Sequence, residues 1–323
     1  MQKYLKYSII VLILIFAGLG VMAILTDATS IIPQINPIFF ILSALFFIFS
    51  IIFWLISWSI LIKKEVKVST WKVLVLGFSC VYGALTPIQV GAEALRSIKA
   101  KDAFNIPYSR SVSASMFVKG LKFFLILLFA AIIIATILLT VELSPIMLFG
   151  LVSGFLMVLF ATAGFLLPLN KKIGKKISRI FHHIGKKFPK AKKLETFFID
   201  YSEYLRKINK KTFAIVFFFV IISFLCELFA LQFSFFSLGV QIDIVPLMVL
   251  FTIISVLERT PLLPRGIGVV EAAGFVFLSI PAFSQVALEV NQVGAILIVF
   301  AVVRLVVPTI VSILSSLVKI KAY

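Results

Sequence analysis

Residues 259–271 read Arg259-Thr260-Pro261-Leu262-Leu263-Pro264-Arg265-Gly266-Ile267-Gly268-Val269-Val270-Glu271. Proline removes a backbone donor and fixes φ, and glycine tolerates conformations that end helices. The stretch therefore predicts a break between two helices. The flanking apolar blocks, 244–257 and 267–281, allow about 14 residues of helix each, roughly 21 Å against a hydrocarbon core of about 30 Å. Neither block spans a bilayer comfortably, so the pair predicts a hairpin that enters and leaves on one face.

A second stretch has the same grammar. Pro87-Ile88-Gln89-Val90-Gly91-Ala92-Glu93 and Pro264-Arg265-Gly266-Ile267-Gly268-Val269-Val270-Glu271 both run Pro, three residues, Gly, one or two residues, Glu. Short Gly/Pro-interrupted segments in corresponding positions of two halves are a pointer to a transporter's binding site. The helix-break positions are Pro87, Gly91, Pro264, Gly266 and Gly268.

The rest of the chain supplies the frame. Of 323 residues, 62% are hydrophobic and only 14% charged, where globular proteins run about 45–50% and about 25%. Apolar blocks recur at 5–25, 38–62, 71–88, 113–140, 145–169, 212–238, 244–257, 267–281 and 292–317. This is an all-α polytopic membrane protein, predicted to have about six full spans plus two opposed re-entrant hairpins. Tyr7–Leu25 is long for a signal-peptide core and is read as a retained helix. Connectors holding Asp27, Glu142, Asp243 and Glu289 lack Lys and Arg; those at Lys3/Lys6, Lys63/Lys64/Lys67, 170–211 and Lys319/Lys321 are basic. Positive charge marks the cytoplasmic side. Both termini are then cytoplasmic in a cell membrane. Three apolar blocks between two inside loops require one block, 71–88, to re-enter. The expected organisation is a single membrane domain over 1–323, with re-entrant motifs at 71–110 and 244–281 and a basic cytoplasmic loop at 170–211.

Ionisable residues within spanning segments are costly and face protein or water. Glu93 and Arg96 share a helical face at i, i+3; Arg265 and Glu271 bracket the second break, and Arg304 lies in the last helix. These five are the candidate substrate-binding residues, the arginines because guanidinium grips phosphate oxygens bidentately. Glu227, Glu258 and Arg259 are a secondary polar lining. The competing readings are that Glu93 and Glu271 cap half-helices, that Arg265 and Arg304 pair with Glu227 or Glu271, and that Glu258 and Arg259 neutralise one another.

The formal net charge of +18 follows from topology, not nucleic acid. Segment 170–211 holds fourteen Lys/Arg against three acids, a net +11, and Ile173, Ile177, Ile180, Phe181 and Ile184 recur at helical spacing. An amphipathic surface helix meeting anionic head groups is expected, or a plain topology anchor. Adjacent His182 and His183 point apart on a helix and are no ligand pair. Cys80 and Cys226 form no metal or disulfide pattern. Catalytic motifs are absent, and neither cofactor nor metal is expected. Self-association into a homo-oligomer is compatible with the sequence.

The run Leu85-Thr86-Pro87-Ile88-Gln89-Val90-Gly91-Ala92-Glu93-Ala94-Leu95-Arg96, continued by Asn105-Ile106-Pro107-Tyr108-Ser109-Arg110-Ser111, together with Leu263–Ala272, resembles the transmembrane flippase-like region of the lysylphosphatidylglycerol synthase/flippase family. The likeness follows the hydrophobic layout of nearly the whole chain. There are two departures: Val118-Lys119 and Lys122 replace an acidic-basic pair, and Arg265 stands where a small residue is common. The resemblance implies translocation of an aminoacyl-phospholipid or a polyprenyl-linked glycolipid between leaflets. Fused members carry a soluble aminoacyl-transferase domain after the membrane part; this sequence ends at Tyr323, directly after the last helix, so that route to an aminoacylated lipid is not expected. An intramembrane transferase, or a scaffold recruiting partners through 170–211, are the alternatives.

Overall fold

The computed structural model describes residues 2–85, 91–140, 145–170, 172–177, 179–180, 189–258, 264–280 and 285–317. The described residues contain helices and no strand. We number the helices α1 (Gln2–Leu25), α2 (Pro37–Ile62), α3 (Thr70–Phe78), α4 (Gly91–Phe104), α5 (Tyr108–Thr140), α6 (Pro145–Leu166), α7 (Pro189–Arg206), α8 (Lys210–Phe236), α9 (Ile244–Glu258) and α10 (Val269–Ser279). The last, α11 (Val290–Ser316), carries a π turn at Val302–Val306.

Among the described residues six stretches are long and apolar enough to cross a bilayer: Lys6–Leu25, Pro37–Ile62, Tyr108–Ala135, Val152–Leu169, Lys210–Phe236 and Val290–Ser316. The chain is a multi-pass membrane protein. The central pair is α2 and α8. Both start on an asparagine cap: Asn36 accepts the Ile38 N–H at 3.0 Å and Asn209 the Thr212 N–H at 2.8 Å, satisfying donors that a helix start leaves open. Between them, Ser43 Oγ donates to the Ala230 carbonyl at 2.6 Å and Ser223 Oγ to the Ser50 carbonyl at 2.8 Å. Small hydroxylic residues let two backbones approach where no water competes. Phenylalanine pairs such as Phe46–Phe233, 5.2 Å between ring centres, cover the flanks.

The short helices sit inside this frame. α3 passes into a 3-10 turn, Val81–Leu85, and the chain resumes as α4. A Cβ on Gly83 would lie 2.9 Å from the Gly91 carbonyl carbon and 3.0 Å from the Ala92 nitrogen, so the turn at Val81–Leu85 lies directly against the start of α4. α9 ends at Glu258, and the chain reappears as a turn at Pro264–Gly266 before α10. There a Cβ on Gly266 would lie 2.9 Å from the Leu257 carbonyl oxygen and 3.0 Å from Glu258 Cα. Both breaks thus close through glycine backbone contact, and the turns Val81–Leu85 and Pro264–Gly266 touch one another. Pro87 and Arg259 fall outside the described residues.

One helix latches both breaks. Ser312 of α11 donates through Oγ to the Phe78 carbonyl at 2.7 Å and accepts the Tyr82 N–H at 2.9 Å. Eight residues earlier, about 12 Å down the helix, Arg304 donates to the Arg265 carbonyl at 2.7 Å.

Part of the basic segment is packed rather than free. In α7, Tyr201, Tyr204 and Leu205 are buried in the main core, and Tyr201 Oη donates to the Phe165 carbonyl at 2.7 Å. Burial pushes both phenols above their ordinary range. The helical turns at 172–177 cross α7 where Gly174 faces Ser202. Ile173 and Ile177 are half-buried and Ile180 is exposed; Phe181, His182, His183 and Ile184 lie outside the described residues.

Candidate functional site

α2, the first break, α4, α5, α8 and the second break surround a cavity of about 130 Å³, large enough to admit water. Its described lining includes Glu93, Lys119, Lys122, Glu227, Glu258 and Arg265, together with Ser50 and Trp54. The six ionisable groups close into three pairs. Lys119 Nζ meets Glu93 Oε1 at 3.3 Å, Arg265 Nε meets Glu258 Oε1 at 3.1 Å, and Lys122 Nζ is bonded to Glu227 Oε1. The set carries three positive and three negative groups, as expected where intramembrane charges pair with one another. In such surroundings the loss of one partner costs about 3–5 kcal/mol.

Behind the second break lies a fourth pair. Arg304 is fully buried and its Nη2 donates to Glu271 Oε1 at 2.7 Å. Glu271 Oε2 accepts the Gly268 N–H at 2.7 Å, which caps α10 at its start. Arg265 Nη1 donates to the Arg304 carbonyl at 2.8 Å, reciprocating the bond Arg304 makes to Arg265. The capping and pairing readings of Glu271 and Arg304 therefore both hold in one network, and Arg304 is absent from the described cavity lining. Glu258 pairs with Arg265, and the reading in which it neutralises Arg259 falls on a residue outside those described.

This network explains the unusual arginine. Arg265, Gly266 and Gly268 have φ of +50°, +65° and +81°, the left-handed region that favours small residues. An arginine here costs backbone strain. The three hydrogen bonds that join it to Glu258 and Arg304 hold it in place.

The first break is built differently. Arg96 is 1% exposed, and its Nε, Nη1 and Nη2 have no hydrogen-bond partner among the described residues. Its guanidinium lies 4.2 Å from the ring centre of Trp54 and 5.0 Å from that of Trp58, stabilised by the π faces. Glu93 Oε2 is also unpartnered.

On the far side of the second break, an apolar groove of about 470 Å³ runs between α1 and α10. Leu14, Gly18 and Met22 form one wall and Ile267, Ala272 and Phe275 the other, with Gly268 and Glu271 also reaching it. The turn at 264–268 thus divides a charged cavity from an apolar groove.

With this geometry in view, the chain was compared with known proteins. A family model described as Lysylphosphatidylglycerol synthase TM region matches residues 5–312. The chain belongs to that family. Neither a curated protein nor a solved structure matches it. The family match runs from α1 into α11 and includes both breaks and all four ion pairs.

Sequence reasoning had Lys119 and Lys122 only as departures from a pattern, yet they supply the partners of Glu93 and Glu227. Two lysines at i, i+3 inside the apolar run of α5 were the available signal, since one helical face presents both to the interior. Trp54 and Trp58 carried no charge signal at all.

Proposed function

We propose that this chain moves a lipid with a polar head group between the leaflets of the cell membrane. The head group, of an aminoacyl-phospholipid or a polyprenyl-linked glycolipid, enters the ion-pair-lined cavity while its chains lie in the apolar groove. In this reading the two breaks are re-entrant hairpins from opposite faces, both termini are cytoplasmic, and the basic segment 170–211 meets anionic head groups. The observation that carries it is the cavity of three closed ion pairs beside an apolar groove. An amphiphile needs one polar and one apolar compartment side by side. Closed pairs keep the cavity neutral when empty, and a polar head group can insert between partners without leaving a bare charge.

The test is reconstitution in vesicles carrying a trace of aminoacyl-phosphatidylglycerol or of a polyprenyl-phosphate sugar. Arrival of the head group at the outer face is followed with a membrane-impermeant amine reagent or a lectin. Glu93→Gln should slow arrival at least about tenfold, the scale of one lost charge-assisted contact of about 1.5 kcal/mol. An unchanged rate removes the cavity from the mechanism, and a covalently altered lipid would identify a transferase instead.

A further inference from the structure

α4 and α5 form a hairpin joined by a short turn at 105–107. Because they run antiparallel and Glu93 meets Lys119, each step back along α4 is a step forward along α5. Arg96 and Ser97 therefore lie level with Ser115. Trp58 checks this register independently: the indole packs against Arg96 and its Nε1 donates to the Ser111 carbonyl at 3.5 Å.

On α5, Ser111, Ser115, Lys119 and Lys122 fall within a stripe roughly 80° wide at 100° per residue. Ser97, Ser111 and Ser115 are fully buried, and their hydroxyls have no hydrogen-bond partner among the described residues. With Arg96 and Glu93 Oε2, the seam holds seven unpartnered buried polar atoms: three nitrogens, three hydroxyls and one carboxylate oxygen. It starts at the charged end of the hairpin, near exposed Lys101 and Asp102, and stops at the cavity. Each such group left dry costs about 1–3 kcal/mol, and buried water with polar partners is the usual remedy.

We propose that the α4–α5 seam is a file of water joining the aqueous phase at the 105–107 turn to the Glu93–Lys119 pair. Arg96 is its central donor, supplying three N–H directions to water while Trp54 and Trp58 hold the guanidinium in place. The file gives the pair an aqueous connection separate from the groove that opens toward lipid. It stands independently of the lipid-transport reading, because water in the seam needs no substrate.

The test is thiol reactivity in intact membranes with a small water-soluble methanethiosulfonate. In a background with Cys80→Ser and Cys226→Ser, Ser115→Cys should react at least about tenfold faster than the buried native cysteines of the parent chain. Ser113→Cys, on the opposite face of α5, equally buried and with its own hydroxyl unpartnered among the described residues, is the control for a buried hydroxyl off the stripe, where no file reaches, and should stay slow. Adding Ser111→Leu at the entrance should return Ser115→Cys to that slow rate. Reactivity at the level of the native cysteines overturns the water file. So does equal reactivity at 113 and 115, or a plug without effect. Serine and cysteine are nearly isosteric, so the cysteine variants keep the packing; Ser111→Leu adds volume at a buried site and is read in detergent-stable protein that melts like its parent, and none of these outcomes reads lipid movement.

Discussion

The two breaks share a sequence grammar and differ in how their polar groups are used. At the second, Arg304, Glu271, Arg265, Glu258 and the Gly268 N–H are tied to one another by five hydrogen bonds or ion pairs. At the first, Arg96 is as deeply buried as Arg304, but where Arg304 leaves its Nε unpartnered among the described residues, Arg96 leaves all three guanidinium nitrogens so and lies against the Trp54 and Trp58 rings. A buried network with its partners in place rigidifies the fold, whereas unpartnered donors remain available to water or a ligand. The second break reads as a strut and the first as the adaptable side of the cavity.

The largest expected effect separates these roles. Arg304→Met leaves Glu271 as an uncompensated buried carboxylate and strips the Arg265 carbonyl, so thermal unfolding in detergent should report a loss of about 3–5 kcal/mol. Arg96→Met removes cation–π contacts worth about 2 kcal/mol but strands no hydrogen-bonded partner, and it also relieves the burial of a cation. Its loss should stay below about 2 kcal/mol. Equal losses from the two substitutions would erase the distinction between strut and adaptable side.

The glycines give an intermediate effect. Gly266→Ala must accept both a φ of +65° and a Cβ pressed on the backbone of α9, for about 1–3 kcal/mol from strain of that kind. Gly83→Ala meets the backbone of α4 at similar distances without a left-handed φ. It should unfold at a higher temperature than Gly266→Ala in the same scan; the reverse order would mean that the first break is the more tightly closed.

Much of this was legible before any coordinates. Pro264, Gly266 and Gly268 announce a break through backbone chemistry alone, and the shortness of 244–257 follows from helix rise against bilayer thickness. The candidate arginines and glutamates were found because charge in an apolar run stands out. Which charges meet was not legible. Glu227 finds Lys122 across 105 positions, and no periodicity within either helix encodes that contact. Glu258 meets Arg265 seven positions on, because a left-handed turn at Arg265 brings that side chain back onto the end of α9. Arg96's aromatic setting depends on α2 lying beside α4, a packing that hydrophobic patterning does not specify.

The smallest effect asks whether water at the first break can do what protein does at the second. Ser312 serves an orphan carbonyl at Phe78 and an orphan N–H at Tyr82. Ser312→Ala removes both bonds, and in a dry interior the two stranded groups would together cost about 2–6 kcal/mol. Tyr82 adjoins Val81, which lines the cavity, so water there can take over part of the work. The loss should then be only about 1 kcal/mol, and Ser312→Thr, which keeps the hydroxyl, should recover it. A loss above about 3 kcal/mol would mean that the first break is as dry and as rigidly latched as the second, and the contrast between them would rest on Arg96 alone.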